Sequence, residues 1–312
     1  MSSLREIKER IASVNSTLKI TSAMKMVASA KLHKAQLAME NMLPYEQKLH
    51  GILVDLMMSG TSEMPAAGDA LNEYSEDRAA GAEAKYVEVR PVKKVAIVAW
   101  ASNSSLCGAF NANAVRHTAE TIKSLTGSGI KPSDITVYCV GNKMEDAMRK
   151  LGYESPADYS RLSEKPSYQE ASSLAQTLTD GFISGRYDKV ILIYNHYKST
   201  SSQPTVEEVY LPFSPAVEKE EPGRGTVQGS DYIVEPDAES VIAELLPKSL
   251  KLKIYTVQLD VAAAEHAART VAMQTATDNG NDILQELTLE YNKGRQQKIT
   301  NEILDIVGGS MQ

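Results

Sequence analysis

The chain has 312 residues, of which 42% are hydrophobic but only 6% aromatic, and its formal net charge is -7. That length accommodates one large domain or two modest ones, and a core with so few rings must pack mainly through Ala, Val, Ile, Leu and Met. The acidic balance argues against general nucleic-acid binding, which needs a basic surface.

Charge is unevenly placed: residues 1–50 carry eight Lys or Arg against four Asp or Glu, and residues 61–90 carry three against seven. A basic amphipathic start beside an acidic remainder suits an acidic partner or a membrane surface, and equally a solvated helix face. Cys107 and Cys139 are the only cysteines, and without C-x-x-C spacing they suit a reducing compartment. No apolar run approaches 18 residues, so no transmembrane helix is expected. Glu6 and Glu9 speak against a transit peptide at the basic start.

The first predicted element is long. Leu4, Ile7, Ile11, Val14, Leu18, Thr21, Lys25, Ala28, Leu32, Ala35, Met39 and Met42 step alternately by three and four residues. Such spacing is a heptad seam. No Gly or Pro interrupts Leu4–Leu43, which predicts a rod of roughly 60 Å. The middle of the chain alternates between short strands and helices. Strands are predicted over Lys93–Ser102, Asp134–Gly141 and Asp188–Tyr197, with an edge strand over Thr205–Phe213. Helices are predicted over Asn113–Leu125, Lys143–Leu151 and Tyr168–Ile183, and the alternation argues for a compact α/β domain at about 90–215. Stretches 60–85 and 214–230 read as loops. From Lys248 to Val307 the pattern is helical again, with Val257, Val261, Ala264, Ala268 and Val271 as the expected seam, followed by Ile283, Leu287, Tyr291, Ile299, Ile303 and Ile306. "DNGND" (Asp278–Asp282) consists of poor helix formers and predicts a kink or a polar contact. Two seams at opposite ends of one chain predict an antiparallel pair.

Motifs for chemistry are sparse. "SNSSLCGAFN" between a strand and a helix invites a phosphate-binding reading, but no G-x-G-x-x-G is present and "GSGIKPSD" (Gly127–Asp134) lacks P-loop spacing. Cys107 has no identifiable His and acid partners, and the five His are scattered without ligand spacing. No catalytic, metal-binding or cofactor-binding residues are assigned.

Against this background, "ITSAMKMVASAKLHKAQ" (Ile20–Gln36) resembles the N-terminal helix of the gamma-subunit family of F-type ATP synthases, with its I-T-x-A-M-x-M-V-A-x-x-K pattern. "ARTVAMQTATDNGNDILQELTLEYNKGRQQKITNEILDIVGG" (Ala268–Gly309) resembles that family's C-terminal helix almost throughout. "SLCGAFN" (Ser105–Asn111) and "DYIVEPD" (Asp231–Asp237) are weaker matches in the same order. The resemblance implies an α/β protein in which a long antiparallel coiled coil of the N- and C-terminal helices carries a central Rossmann-like domain. The implied organisation is 1–59 coiled-coil helix, 60–89 acidic linker, 90–215 α/β domain, 216–240 foot loop and 241–312 coiled-coil helix.

The implied function is that of a non-catalytic central-stalk rotor. Its partners would be three alpha and three beta subunits, the epsilon subunit and the membrane c-ring, at the cytoplasmic face of a bacterial inner membrane. By resemblance, Met24, Lys25 and Arg269 meet a beta-subunit loop. Arg295, Gln296, Thr300 and Glu302 form a polar catch, and Ile303, Leu304, Ile306 and Val307 form an apolar tip in its bearing. Tyr232 and Glu235 would meet the c-ring or epsilon. Lys19, Lys31 and Lys34 would join Lys25 in facing acidic beta-subunit loops. The sequence departs from the family at Ser104 and Ser105, where Arg-Gly is usual before "LCG", at the residue before Asp231, where Trp is common, and in a longer acidic loop. Heptads and an α/β pattern alone also fit an unrelated coiled-coil scaffold or a small enzyme with helical extensions.

Overall fold

A computed structural model describes residues 4–59, 84–214 and 234–309. The 60–83 and 215–233 stretches, expected as linkers, lie outside the described residues, as does Tyr232.

Helix α1 (Leu4–Ser59) and helix α7 (Ala238–Gly309) run for 56 and 72 residues, or about 84 and 108 Å at 1.5 Å per residue. Both continue through a proline, Pro44 and Pro247, each of which removes one backbone donor from its helix. The N-terminal seam lies where the spacing predicts it. From Leu4 to Ala35, the predicted seam positions are the only ones withdrawn from solvent. Helix α7 starts where Asp237 caps it: Oδ1 accepts from the Ser240 N–H at 2.7 Å and Oδ2 from the Ser240 hydroxyl at 2.9 Å.

The two helices pair antiparallel in a fixed register. A Cβ built on Gly294 would lie 3.0 Å from Leu4, and one on Gly280 would lie 2.7 Å from Leu18. Thr277 donates to Thr21 at 2.9 Å. Leu4 and Leu18 are two heptads apart, as are Gly280 and Gly294, so the pairing does not slip. At "DNGND", where a kink or a polar contact was expected, α7 stays helical. Gly280 is a contact residue: without a Cβ, the helices approach closely over Leu18.

The expected C-terminal seam needs correction. Val257, Val261 and Ala264 pack with Trp100 and Leu192 in the core of the α/β domain, with Ala268 against it. The side facing α1 is one residue over, where Ala263 and Ala267 meet Leu32 and Ala35. Val271 and Ile283 are 40% and 48% exposed, and Leu284 is the residue withdrawn from solvent beside Ile283. Here α7 carries two apolar faces, and periodicity cannot say which face meets which partner.

The α/β domain follows α2 (Ala84–Val87). Strand β1 (Val95–Trp100) leads through α3 (Phe110–Gly127) to β2 (Ile135–Val140). Helices α4 (Asn142–Lys150), α5 (Ser160–Glu164) and α6 (Tyr168–Ile183) precede β3 (Lys189–Asn195) and β4 (Thr205–Leu211). The sheet order is β2-β1-β3-β4, with β4 the antiparallel edge. Period-two alternation sorts β1 cleanly. Ala96, Val98 and Trp100 join the core that includes α6 and α7, while Val95, Ile97 and Ala99 join Ala114, Ile122, Met144 and Met148 of α3 and α4. The sheet thus uses α7 as one of its covering helices, which fixes the rod to the domain. Sequence reasoning missed the short α2 and α5.

Candidate functional site

The rod divides into three lengths along α7. In the lowest, Thr256–Val261 are all buried between α1 and the sheet, and the buried polar groups there are paired. Gln258 Nε2 donates to the Leu162 carbonyl at 2.6 Å and its Oε1 accepts from the Ser167 N–H at 3.3 Å. The Tyr210 hydroxyl donates to the Leu250 carbonyl at 3.0 Å. Such satisfied groups orient one element on another, which apolar contact alone does poorly.

Above the sheet, Arg269 is held within the chain. Its guanidinium donates to the Ser105 carbonyl, the Ser104 hydroxyl at 2.9 Å and Glu265 Oε1 at 2.7 Å. The positions where this sequence departs from the family's Arg-Gly therefore supply two of its acceptors. The loop they occupy is tightly organised. Asn111 Oδ1 accepts from the Ser102 N–H at 2.9 Å, its Nδ2 donates to the Ser102 hydroxyl at 3.0 Å, and Leu106 sits exposed at φ +67°. The strand–loop–helix junction that invited a phosphate reading is thus crossed by its own Asn111. Burial raises the Glu265 carboxyl above its usual range, against the lowering effect of Arg269 and Lys31. Burial, helped by Lys31 and Arg269, pulls the His266 imidazole down to about 4.

In the middle length α1 presents apolar side chains to solvent. Ile20, Met24, Met26 and Val27 are exposed on α1. Lys25 occupies a seam position and is half-buried, so its stem lies along the helix pair while Lys19, Lys31 and Lys34 are exposed. The structure therefore brings Met24 and Arg269 to the same part of the rod, and withdraws Lys25 from its outer face.

Among the described residues, the top length has no facing helix. Since Gly294 lies opposite Leu4, α7 outruns α1 from Arg295 onward, about 22 Å of single helix. Every residue from Arg295 to Val307 is exposed, including Gln296, Thr300 and Glu302. Ile303, Leu304, Ile306 and Val307 form the exposed apolar end, with Ile306 at 70%. Glu235 is exposed beside the α7 N-terminus, far along the rod from that end. The residues sequence reasoning missed are Gly280, Gly294, Lys253, Gln258 and Asp260. The two glycines are the only ones between Lys248 and Val307 and lie two heptads apart, a spacing that marks a close contact. The polar three interrupt an apolar stretch.

Among the described residues, no group of three or more His, Cys, Asp or Glu is placed to hold a metal ion. No described helix is long and apolar enough to cross a membrane.

A long helix pair, with one bare end and an α/β head locked to the other, defines a shaft-like subunit of a larger assembly. Comparison with known proteins agrees. The family model described as ATP synthase matches residues 3–311. An ATP synthase gamma chain of Phocaeicola vulgatus is 51% identical over 311 residues, spanning all of both chains. One of Flavobacterium johnsoniae is 38% identical, over 99% of this chain and 98% of its own. The rotor of the Euglena gracilis mitochondrial ATP synthase superposes with a TM-score of 0.59 at 19% identity, covering 95% of this chain and 98% of that one. The central stalk and c-ring structure from Tetrahymena thermophila contains a chain that superposes with a TM-score of 0.54 at 23% identity, covering 82% and 99%. The chain belongs to the ATP synthase gamma chain family.

Proposed function

We propose that the chain is the central rotor of a bacterial F-type ATP synthase, coupling rotation of a membrane c-ring to the catalytic sites of three beta subunits, with no catalytic step of its own. The observation that carries this is the single-helix end of α7: an exposed apolar tip on a rigid rod is unfavourable in water unless a socket receives it. Each Ile, Leu or Val fully buried there contributes about 1.5–3 kcal/mol. Ile303, Leu304, Ile306 and Val307 are assigned to that bearing, and Arg295, Gln296, Thr300 and Glu302 to polar contacts just below it. Met24 is assigned to the beta-subunit contact where the rod emerges from the head, with Lys25 contributing from the seam edge and Arg269, bound to Ser104, Ser105 and Glu265, holding the neighbouring loop in place.

The middle of the rod suits sliding. Ala, Ser and Thr give its exposed faces low relief, Met contacts adapt, and exposed Lys side chains act at range without interlocking. Torque enters at the other end, where the α/β domain, Glu235 and Tyr232 would meet the c-ring and epsilon subunit. The domain division follows the mechanics: 1–59 and 241–312 as shaft, 90–215 as head, 60–89 and 216–240 as connecting segments. The chain would work at the cytoplasmic face of the inner membrane, held there by the complex.

Co-expression with cognate alpha and beta subunits tests this. The expected result is a complex of one copy of the chain per three alpha and three beta, with ATPase activity reduced when Thr300–Gln312 is removed. A chain that is folded but never co-purifies contradicts it.

A further inference from the structure

Two polar nodes each bring together groups from α1, α7 and the α/β domain. Tyr197, just past β3, donates its backbone N–H to Asp260 Oδ1 of α7 at 2.7 Å, while its hydroxyl accepts from Gln36 Nε2 of α1 at 2.6 Å. Its ring packs against the seam formed by Leu32, Ala35, Ala263 and Ala267. The other oxygen of Asp260 lies 2.6 Å from His196 Nδ1. One heptad down α7, Lys253 Nζ lies 2.7 Å from Glu208 Oε1 of β4 and 4.0 Å from Glu46 Oε1 of α1. The second oxygen of Glu208 accepts from the Tyr194 hydroxyl of β3 at 3.1 Å. By contrast, the bonds that Gln258 and Arg269 make from α7 to the head go to groups of the α/β domain and not to α1.

We propose that the Tyr197–Asp260–Gln36 and Glu208–Lys253–Glu46 nodes are the torsional lock of the subunit, the positioning residues through which turning force passes from head to shaft. This rests on the rotor reading above. Apolar packing is non-directional, so an Ala-rich helix can roll on its neighbour with little loss. Hydrogen bonds weaken steeply with angle and resist that rolling. A single tie is a pivot; two ties about 10 Å apart along α7 fix both twist and tilt. Because each node also reaches α1, through the Gln36 hydrogen bond at one and the 4.0 Å Lys253–Glu46 ion pair at the other, the two helices turn as one body rather than sliding along their small-residue seam. The groups are sheltered enough to act as ties: the side chains of Asp260 and Glu46 are 12% and 13% exposed, and that of Lys253 25%, so salt screens them less than a surface pair.

The test uses the assembled complex with cognate alpha and beta subunits. The beta subunits are fixed to a surface, a bead is attached to the α/β domain, and the rotor is stalled with a non-hydrolysable ATP analogue. The variance of bead angle then reads torsional compliance. Tyr197→Phe with Lys253→Met should raise that variance at least about twofold, since variance scales inversely with stiffness. Lys253→Arg, which keeps the charge and can reach both carboxylates, should restore most of the stiffness in the Tyr197→Phe background. In membranes with the intact proton-translocating sector, the double variant should pump fewer protons per ATP while unloaded ATPase activity is retained. Wild-type variance in an assembled double variant overturns the proposal. Should the double variant not assemble, Tyr197→Phe alone, which removes one hydroxyl and leaves the Asp260 bond, is read in the same assay, and unchanged variance overturns it equally. A wild-type chain that does not enter the ring, or does not turn, refutes the rotor reading instead.

Discussion

Two lengths of α7 have opposite surroundings. Around Thr256–Glu265, α7 is enclosed by α1 on one side and the sheet on the other, with its polar side chains tied into the head. From Arg295 to Val307 the same helix is exposed on every side. The lower length is shaped by this chain's own core; the upper length is apolar where nothing among the described residues covers it. A helix that needed only to be stable would place Ile303, Leu304 and Ile306 where Val257 and Val261 are. On the proposed reading, their placement at the bare end is a requirement of assembly.

Substitutions should separate these two lengths. The largest effect on folding is expected where the sheet meets α7. Trp100→Ala empties a site that is 1% exposed beside Tyr194 and should cost about 3–5 kcal/mol in chemical denaturation of the purified chain. Ile306→Ala at the tip should change that stability by less than about 0.5 kcal/mol, yet accelerate dissociation from the alpha–beta ring. Equal effects in both assays would erase the distinction.

Between these extremes lies the seam. Gly280→Leu drives a side chain into Leu18 and should cost about 1–3 kcal/mol through overpacking. Gly294→Ala meets only the end of the Leu4 side chain at 3.0 Å, so the helix propensity of Ala should prevail and stabilise by up to about 1 kcal/mol. Loss of stability in Gly294→Ala would show that the helices approach as tightly at the top as at Gly280. Asp237→Ala, which removes the α7 cap, should cost about 1 kcal/mol.

The His266 imidazole gives a pH-dependent test. Its folded value is pulled from 6.5 to about 4 by burial, Lys31 and Arg269, so the unfolded chain binds protons more readily and stability falls as pH drops from about 6.5 toward 4. Glu265, raised above 4.5, acts in the opposite sense at the acidic end of that window. His266→Gln should flatten the acid loss; an unchanged pH profile would mean that the imidazole is not effectively desolvated. The smallest effect belongs to the exposed Lys298–Glu302 pair at 3.8 Å on the tip, where Lys298→Ala should alter chain stability by no more than about 0.5 kcal/mol.

Much of this was legible in the residues because two patterns write themselves clearly. The three-four steps from Leu4 to Ala35 mark one buried stripe on an otherwise solvated helix, and the unbroken apolar run "VAIVAW" marks a strand covered on both faces. The same reasoning failed at Val257–Val271, where α7 has two partners and its apolar faces merge. At "DNGND" it left a kink or a polar contact open and did not foresee that Gly280, which weakens a helix in isolation, lets the pair approach closely over Leu18. The ties at Asp260 and Lys253 were invisible for a different reason: their partners, Tyr197 just past β3 and Glu208 on β4, are brought to α7 only by the fold. The tip residues were placed by resemblance, and the structure adds that nothing in the described chain covers them.

The most direct measurement is single-molecule rotation: a bead on the α/β domain of this chain, assembled with cognate alpha and beta subunits fixed to a surface, observed with ATP. The account predicts stepwise rotation in one direction, lost when ATP is withheld. A complex that hydrolyses ATP at full rate while the head stays still would contradict a shaft that turns.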